Sequence, residues 1–455
     1  MSGSPRPIRI RGRRRALALG HVNGTLWAIG NGLTTGPLVS YLAQDLRATG
    51  FALSLLFAAP TLAGLLRLAA PLVIYRTGTA KRACVSLFSA SYLLILGLPA
   101  IAVVAPRMNS RVAVYLLIGI LFFHQLLEYV ATVALWSWWA DLVPPAIRGR
   151  YFARRQIWQL GFSIPLLLAG GYFADYWRKQ YAEDPKRLWL AYALPTALGA
   201  GLLLASVVPL AFMPATRYFA EPRVEFVWSK IAAPFLDRRF WRLLTFRGWF
   251  SLSNGISQVV QGVYPKQVLG FGVAELSAMK TVTQCGQMAA SGWVGRFSDR
   301  YGNRPTLVLA QACVSLALVF FIAATDSSTK WLLVGAWVLF SAYVAHNICL
   351  PNLILKLAPD VEKSGYVASY EALGSLCNAA ATVLGGLTFD WLKANSPNPA
   401  GEPYRSCLIV LCLGLVMRGL GVVLVAAIRE PGAWTWREII AGHRTPAKSV
   451  KIEPI

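Results

Sequence analysis

The chain has 455 residues, of which 56% are hydrophobic and only 14% are charged, and its formal net charge is +24 at pH 7. Soluble proteins carry about a quarter of their residues as charged side chains, so this composition excludes an ordinary soluble protein. The basic residues lie in short segments between apolar runs, without a basic and aromatic module, and this argues against nucleic acid as a partner.

Twelve apolar runs are long enough to cross a membrane, since a spanning helix needs about 20 mostly apolar residues. They cover approximately residues 17–42, 51–75, 83–105, 112–139, 150–174, 188–213, 241–264, 274–297, 305–325, 331–354, 366–390 and 406–428. The first run follows a basic cluster, as a signal peptide does, but it contains His21 and Asn23 and reaches full spanning length. We interpret it as an uncleaved helix of an all-α integral membrane protein.

The basic residues are unevenly divided between the two sides of these runs. If the N-terminus is cytoplasmic, 29 of the 44 Lys and Arg residues fall on the cytoplasmic side and 11 on the other side. This asymmetry predicts that both termini are cytoplasmic, in the inner (cytoplasmic) membrane of a bacterium. The basic loops are then expected to contact anionic membrane lipids.

The two halves of the chain resemble each other at a constant offset of 215 residues. The identical pairs are Leu142/Leu357, Pro144/Pro359, Tyr151/Tyr366, Ala153/Ala368, Gly170/Gly385, Gly171/Gly386 and Asp175/Asp390. Each copy lies between long apolar runs, so the repeated unit is a bundle of membrane helices. Duplicated bundles of this kind line a central path and rock about it, which indicates solute transport.

The repeat also divides the chain into predicted regions. They are a basic tail (1–16), a first six-helix bundle (17–214), a surface linker (215–240), a second bundle (241–428) and a C-terminal tail (429–455). The linker mixes charged and aromatic residues and is expected to lie along the membrane surface. The C-terminal tail is expected to begin with a short interfacial helix over residues 434–441.

A motif rich in glycine and arginine separates the eighth run from the ninth. It reads Gly295-Arg-Phe-Ser-Asp299-Arg300-Tyr-Gly302-Asn-Arg304. Gly295 permits a close helix approach, Asp299 is suited to cap a break in the helix, and Gly302 permits a tight turn. Arg300 and Arg304 are then expected at the cytoplasmic surface, where guanidinium groups pair with carboxylates or lipid phosphates.

This motif resembles the signature loop of the major facilitator superfamily, and with the twelve runs, the repeat and the long linker the resemblance covers residues 17–430. It implies twelve transmembrane helices in two pseudo-symmetric six-helix bundles that transport by alternating access. It also implies that Asp299 acts as a conformational latch, by contacting the start of the fifth run, Gly149–Arg155. Alternatively, Asp299 only caps a helix.

The predicted latch comprises Gly295, Asp299, Arg300, Gly302 and Arg304 together with Arg148 and Arg154 at the start of the fifth run. The first-half copy of the motif is degraded, because Pro71 and Tyr75 stand where the family has Gly and Asp. The first-half copy therefore lacks the carboxylate that this half of the latch would use.

Ionisable residues inside a membrane usually face a cavity or a partner, because each costs about 2.5–3.5 kcal/mol to insert. His124 and Glu128 are one helical turn apart, and such a pair suits proton coupling, although a purely structural hydrogen-bonded pair has the same spacing. Arg67 is either the partner of Glu128 or a clamp for an anionic substrate. Arg247 and Lys280 are expected to extend to opposite membrane surfaces.

Two further charged residues are interpreted as structural. Arg418 is expected to pack against neighbouring helices, and Glu371 lies near a helix start, where the helix dipole favours a carboxylate.

A polar stripe follows one face of the seventh run, where Asn254, Gln258 and Gln261 recur at helical spacing. The first run, its symmetry mate, carries Asn31. The resemblance implies that these two helices line the central cavity, so Asn31, Arg67, Asn254, Gln258 and Gln261 are predicted to contact substrate. Hydrogen bonding between helices is the alternative.

The sequence therefore predicts a proton-coupled secondary transporter for a small polar or anionic organic solute, acting as a monomer without a cofactor or metal. The seven cysteines are scattered singly and are interpreted mainly as small buried hydrophobic residues. A non-transporting sensor or scaffold of the same fold is the alternative. An enzyme would need a catalytic cluster, and none is recognisable in the sequence.

Overall fold

Long helices follow one another along the chain in a computed structural model that describes residues 10–65, 73, 76–144, 147–215, 233–359, 363–395 and 403–441. In the first half they are α1 (Ile10–Thr34), α2 (Gly50–Leu65), α3 (Ala80–Ile95, continued by Gly97–Val104), α4 (Ser110–Leu142), α5 (Arg148–Gln180) and α6 (Leu190–Phe212). In the second half they are α7 (Trp241–Gln267), α8 (Val273–Tyr301), α9 (Asn303–Ala323), α10 (Leu333–Phe340 and Tyr343–Leu357), α11 (Lys363–Ala394) and α12 (Pro403–Ala426).

These helices correspond in order to the twelve predicted runs, which confirms the all-α class. Short helices at Pro37–Asp45, Pro185–Leu188 and Trp436–Ala441, and 3-10 turns at Ala105–Arg107 and Lys330–Leu332, complete the described elements. The C-terminal tail contains a helix at Trp436–Ala441, within the predicted segment, and its position at the membrane interface stays a prediction. Most of the predicted linker element, residues 216–232, lies outside the described residues.

Eight helices in the described part of the chain are long and apolar enough to cross a membrane by length and composition. The other four long helices are α1, α2, α7 and α8. The description of α2 stops at Leu65, so only 16 of its residues enter the test. The other three carry polar side chains that face the interior of the molecule, and these side chains lower the mean hydropathy.

The packing of the helices repeats the pseudo-symmetry of the sequence. In the first bundle α1 packs most extensively against α6 and α5, and in the second bundle its mate α7 packs against α12 and α11. The two bundles meet mainly through two helix pairs, α2 with α11 and α5 with α8. These pairs are also symmetry mates, so the same interface is built twice.

Candidate functional site: a polar cavity closed at one end

The two bundles are joined at one end of the molecule by two aspartates. Asp175, near the end of α5, accepts hydrogen bonds from the backbone N–H groups of Val273 (2.9 Å) and Ala274 (2.8 Å). Asp390, near the end of α11, accepts from the N–H groups of Gly50 and Phe51, both at 2.7 Å. Each carboxylate thus caps the first turn of a helix in the opposite bundle, where orphan N–H donors and the helix dipole favour an anion.

We call these two caps the distal clasp, and the end that carries them the distal end. The opposite end, where α1 begins and α12 ends, is the terminal end.

The glycine four residues before each aspartate allows this contact. A Cβ atom at Gly171 would lie 2.8 Å from the Cα of Ala274, and one at Gly386 would lie 2.5 Å from the carbonyl oxygen of Gly50. Real Cβ atoms do not approach that closely, so only glycine lets the helices touch through their backbones. The identical glycines and aspartates of the sequence repeat therefore build one contact in two copies.

Further bonds cross between the bundles at the distal end. The hydroxyl of Tyr41 donates to the carbonyl oxygen of Phe271 (2.8 Å). The ammonium group of Lys266 on α7 pairs with Asp45 of the first bundle, with an Nζ–Oδ1 distance of 2.5 Å. Asp45 also pairs with Arg178 of its own bundle at 3.2 Å. The distal end is thus closed by capping, by ion pairing and by backbone packing.

Two polar cavities lie between the bundles. The larger, about 570 Å³, is lined mainly by the second bundle: Arg247, Asn254, Gln258, Gln261, Tyr343, Tyr370, Glu371 and Arg418 are among its residues. The smaller, about 410 Å³, is lined by Trp27, Asn31, Thr35, Gln156, Gln159, Ser163, Lys280 and Gln284, among others. Both volumes are in the range of sites for small organic molecules.

The polar stripe of α7 lines the larger cavity and also bonds to neighbouring helices. Asn254 accepts a hydrogen bond from the Tyr343 hydroxyl at 2.5 Å. Gln258 accepts from the Thr382 hydroxyl at 3.1 Å, and Gln261 donates to the Ser257 hydroxyl of its own helix at 2.7 Å. Both interpretations of the stripe therefore apply to the same side chains.

The other two predicted substrate contacts lie elsewhere. Asn31 lines the smaller cavity. Arg67 lies outside the described residues.

The expectation for Arg247 is wrong, whereas Glu371 does lie in the first third of α11 (Lys363–Ala394), towards its start. Arg247 does not extend to a membrane surface but pairs with Glu371, with an Nη2–Oε2 distance of 2.9 Å. Its guanidinium group also lies 4.9 Å from the centre of the Tyr370 ring. Both charges line the larger cavity, because pairing there satisfies a guanidinium and a carboxylate more fully than separate exposure would.

Two further cations also face the cavities. Arg418 is buried, with 2% of its surface exposed, and its Nη2 donates to the Ser257 hydroxyl at 3.3 Å. It packs over the Phe340 ring as well as lining the larger cavity, so the expected packing role is only part of its environment. The expectation for Lys280 is wrong, because its side chain lines the smaller cavity instead of reaching the membrane surface.

His124 and Glu128 form a buried pair behind the cavity wall. The Nε2–Oε2 distance is 3.5 Å, and the two residues are 0% and 6% exposed. The Nδ1 of His124 is hydrogen bonded to the Ser91 hydroxyl at 2.8 Å. The indole N–H of Trp27 donates to Glu128 at 2.7 Å, and Trp27 itself lines the smaller cavity. Trp27 thus contacts both Glu128 and the cavity.

The glycine–arginine motif forms the turn between α8 and α9 at the terminal end. Gly302 has a φ of +102°, a conformation that glycine adopts without strain, as predicted for a tight turn. Asp299 does not cap the next helix. The carboxylate of Glu430, after α12, accepts from the backbone N–H of Arg304 at 2.7 Å and from the Asn303 amide at 2.9 Å.

No described hydrogen bond or ion pair joins the charged residues of the motif to the start of α5. Asp299, Arg300 and Arg154 are exposed, and Asp299 has no hydrogen bond or ion pair among the residues that the structure describes. The side chain of Arg148 lies outside the described part, and Gly295 has open space where a Cβ would be. The guanidinium of Arg304 donates to the carbonyl oxygen of Trp434 at 3.3 Å. The predicted contact with the start of α5 stays a prediction.

Sequence reasoning missed Glu430 and gave no role to the aspartates of the clasp. Glu430 carries no local signal, since its partners lie 74–127 residues away along the chain. Asp175 and Asp390 did carry a signal, because their identity in the repeat meant that both halves use the residue. Asp45 ends the short helix Pro37–Asp45 and Lys266 lies at the end of α7, and nothing in the sequence pairs them.

A duplicated helical bundle around a polar cavity defines the class of membrane transporter folds built from repeats. The family model described as Major Facilitator Superfamily matches residues 22–386 and 254–438. The chain belongs to this superfamily, which confirms the resemblance and makes it a multi-pass membrane protein. A search among curated protein sequences finds no match.

Solved structures show the same fold at low sequence identity. The nucleoside transporter NupG aligns with a TM-score of 0.62 and 15% identity, covering 91% of this chain and 99% of its own. The xylose transporter XylE from E. coli, in an inward open conformation, gives 0.60 and 14%, with coverages of 94% and 99%. A bacterial homologue of the human lysosomal transporter Spinster, inward-facing and unoccupied, gives 0.62 and 14%, with coverages of 92% and 97%.

Proposed function

We propose that the protein is a secondary active transporter that moves a small polar or anionic organic solute across the cytoplasmic membrane by alternating access. The observation that carries this proposal is a polar cavity between two bundles that are clasped at the distal end. Buried amides and charges are costly in a membrane unless they serve a solute or each other. Family membership and the transporter fold of the similar structures support the same function.

The distal end faces the outside of the cell. The Lys and Arg asymmetry of the loops supports this orientation, because it favours cytoplasmic termini. A molecule closed at the distal end is then inward-facing. Two of the similar structures are inward-facing or inward open by their own descriptions.

Transport then requires the two bundles, residues 17–214 and 241–428, to rock against each other. The pairs α2–α11 and α5–α8 separate at the distal end while the terminal end closes. In that outward-facing state Asp299 reaches the start of α5 and acts as the latch, together with the arginines around it. The solute binds between the bundles, where Asn31, Asn254, Gln258 and Gln261 line the cavities; Arg67 completes the proposed set.

Proton coupling is assigned to His124 and Glu128. A carboxylate next to an imidazole can share or pass one proton. Trp27 links the pair to the cavity, because it bonds Glu128 and also forms part of the cavity wall. A solute that displaces the indole would therefore change the environment of Glu128.

Uptake into proteoliposomes tests this function. Labelled sugars, nucleosides, amino acids and organic acids are offered with and without an inward-directed pH gradient. We expect Glu128→Gln to abolish gradient-driven accumulation of the transported solute while exchange across the membrane persists. The exposed Glu183→Gln is the matched control and should behave as wild type. Wild-type accumulation by Glu128→Gln would remove this residue from coupling; binding without any flux would identify a sensor instead.

A further inference from the structure

Lys280 occupies an unusual position for a lysine in a membrane helix. It lies about two turns into α8, and its side chain reaches across to the first bundle. A Cβ atom on Gly36, which follows α1, would lie 3.4 Å from the Lys280 Nζ. The ammonium group is therefore at the boundary between the two bundles and on the wall of the smaller cavity.

This ammonium group has no protein partner among the described residues. Three other cations of the membrane helices have bonding partners: Arg247 pairs with Glu371, Lys266 pairs with Asp45, and Arg418 donates to Ser257. No aspartate or glutamate is among the described residues that line the smaller cavity. Within the described part of the chain, Lys280 is thus a lysine of a membrane helix without a counter-ion.

The side chains around Lys280 are suited to the rest of an oxygen-rich solute. Gln284 lies one turn further along α8, on the same face as Lys280. Gln156 and Gln159 on α5 and Asn31 on α1 complete a wall of amides. The Gln159 amide is partly engaged, since it donates to the carbonyl oxygen of Gly24 at 3.1 Å. Amides both donate and accept, so they bind hydroxyl, carbonyl and carboxylate oxygens alike.

We propose that Lys280 binds the anionic group of the transported solute, which is a small organic carboxylate or phosphate ester. This proposal rests on the transport function and narrows its substrate class. An unpaired charge within a membrane protein is unfavourable, and an anion from the solute is the counter-ion that the cavity lacks. Because Lys280 belongs to the second bundle and reaches the first, the bound anion lies between the parts that move.

The first test needs no knowledge of the natural solute. If Lys280 is an uncompensated charge, its replacement by an apolar side chain of similar length should stabilise the solute-free protein. We expect Lys280→Met to raise the melting temperature in detergent by about 2–4 °C. Lys179→Met, at an exposed position on α5, is the matched control and should leave it unchanged. A lower melting temperature for Lys280→Met would show that the amine has a structural role and would overturn the proposal.

The second test uses pairs of probes that differ in charge: gluconate and glucose 6-phosphate against glucose, benzoate against benzyl alcohol, and adenosine monophosphate against adenosine. We expect at least one anion, and not its neutral twin, to raise the melting temperature of the wild type. Its apparent affinity should fall about tenfold or more in Lys280→Gln and less in Lys280→Arg. Stabilisation by neutral probes alone, or by anions equally in both proteins, would overturn the proposal.

Flux measurements separate this proposal from the transport function. If wild type and Lys280→Gln transport a neutral solute equally well, the transport function is supported and the proposed anion site is overturned. Binding of an anion that depends on Lys280, without flux in proteoliposomes, leaves the anion site intact and removes transport.

Discussion

The distal and terminal ends of the molecule are built in opposite ways. At the distal end the two halves make the same contact twice, with Gly171 and Asp175 in one copy and Gly386 and Asp390 in the other. At the terminal end the described motif of the second half is tied within its own bundle by Glu430. One end therefore joins the bundles, and the other stabilises a single bundle.

This difference explains why the glycine and aspartate pairs are identical in the two halves of the sequence. Identical residues persist at the distal end because both copies must fit the same backbone geometry. In the glycine–arginine motif at the terminal end, the first copy has Pro71 and Tyr75 in place of Gly and Asp, so the two halves differ in this motif. The glycine and aspartate pairs of the repeat thus mark the distal contact that both halves build. The other identical pairs, such as Pro144/Pro359 and Tyr151/Tyr366, lie at the terminal end near the starts of α5 and α11.

The largest effect is expected from removing both caps of the distal clasp. Loss of a capping carboxylate costs about 0.5–2 kcal/mol, so Asp175→Ala with Asp390→Ala should shift the ratio of closed to open distal ends by about a hundredfold. If the two copies are equivalent, each single variant should shift this ratio by about tenfold, the square root of the effect of the double variant. Spin labels at residues 183 and 393, after replacement of the exposed native cysteines, measure the distance between bundles.

Asp326→Asn is the control for this experiment, because its carboxylate bonds only within its own loop at the same end. Unequal effects of the two single variants would show that the clasp is not symmetric. An unchanged distance distribution in the double variant would show that the caps do not hold the bundles together.

A somewhat smaller shift is expected from filling the glycine contacts. Gly386→Val or Gly171→Val places side-chain atoms where the opposite backbone lies, and overpacking of this kind costs about 1–3 kcal/mol. The same distance measurement should report opening of the distal end. Gly161→Val is the matched control on α5, because a Cβ there meets no atom within 4 Å. Opening by the control as well would point to a general loss of helix stability.

At the terminal end, Glu430→Gln should lower stability without changing the distance between bundles. Burial alone would raise the pKa of Glu430, but hydrogen bonds from Arg304, Asn303 and Lys356 outweigh it and lower the pKa below the ordinary value. The carboxylate form is bound by these donors, and leaving them unsatisfied costs about 1–3 kcal/mol. Thermal unfolding in detergent at pH 7 measures this loss.

The pH dependence follows from the sign of that shift. A depressed pKa in the folded state means that the stabilisation is present above the unfolded pKa, near 4.3, and is lost as pH falls through the folded value. The difference between wild type and Glu430→Gln should therefore narrow below about pH 4. A constant difference down to lower pH would show that the contribution of Glu430 does not depend on its charge.

Much of the fold could be predicted from the sequence, because spanning helices are set by composition and length alone. The described long helices overlap the predicted runs in order, and α5 and α11 extend beyond them at both ends. The first run, 17–42, is not one helix, because α1 ends at Thr34 and a separate short helix covers Pro37–Asp45. The same reasoning located the α7 stripe, since residues spaced by a helical turn share a face.

The partners of charged side chains were harder to predict. The sequence predicts that Arg247 and Lys280 extend to the nearest membrane surface, because a single sequence indicates how deep a residue lies along a helix but not which side chain is its neighbour. Arg247 finds Glu371, which is 124 residues away, and Lys280 reaches the other bundle. Such pairings depend on how helices are arranged around the cavity, and no local pattern encodes that arrangement.

The smallest effect on stability in this conformation is expected from replacing Asp299. This replacement also tests whether Asp299 is a conformational latch or a helix cap. Asp299 is exposed, and Glu430 supplies the cap of α9. Asp299→Asn should therefore change the free energy of unfolding by less than about 0.5 kcal/mol. If Asp299 holds the outward-facing state, the same variant should reduce the open fraction at the distal end in proteins whose clasp has been removed. Combining Asp299→Asn with the Asp175→Ala and Asp390→Ala variants makes this visible, because the open state is then populated. An unchanged open fraction would exclude the latch. The motif would then only form the turn between α8 and α9, for which Gly302 is required.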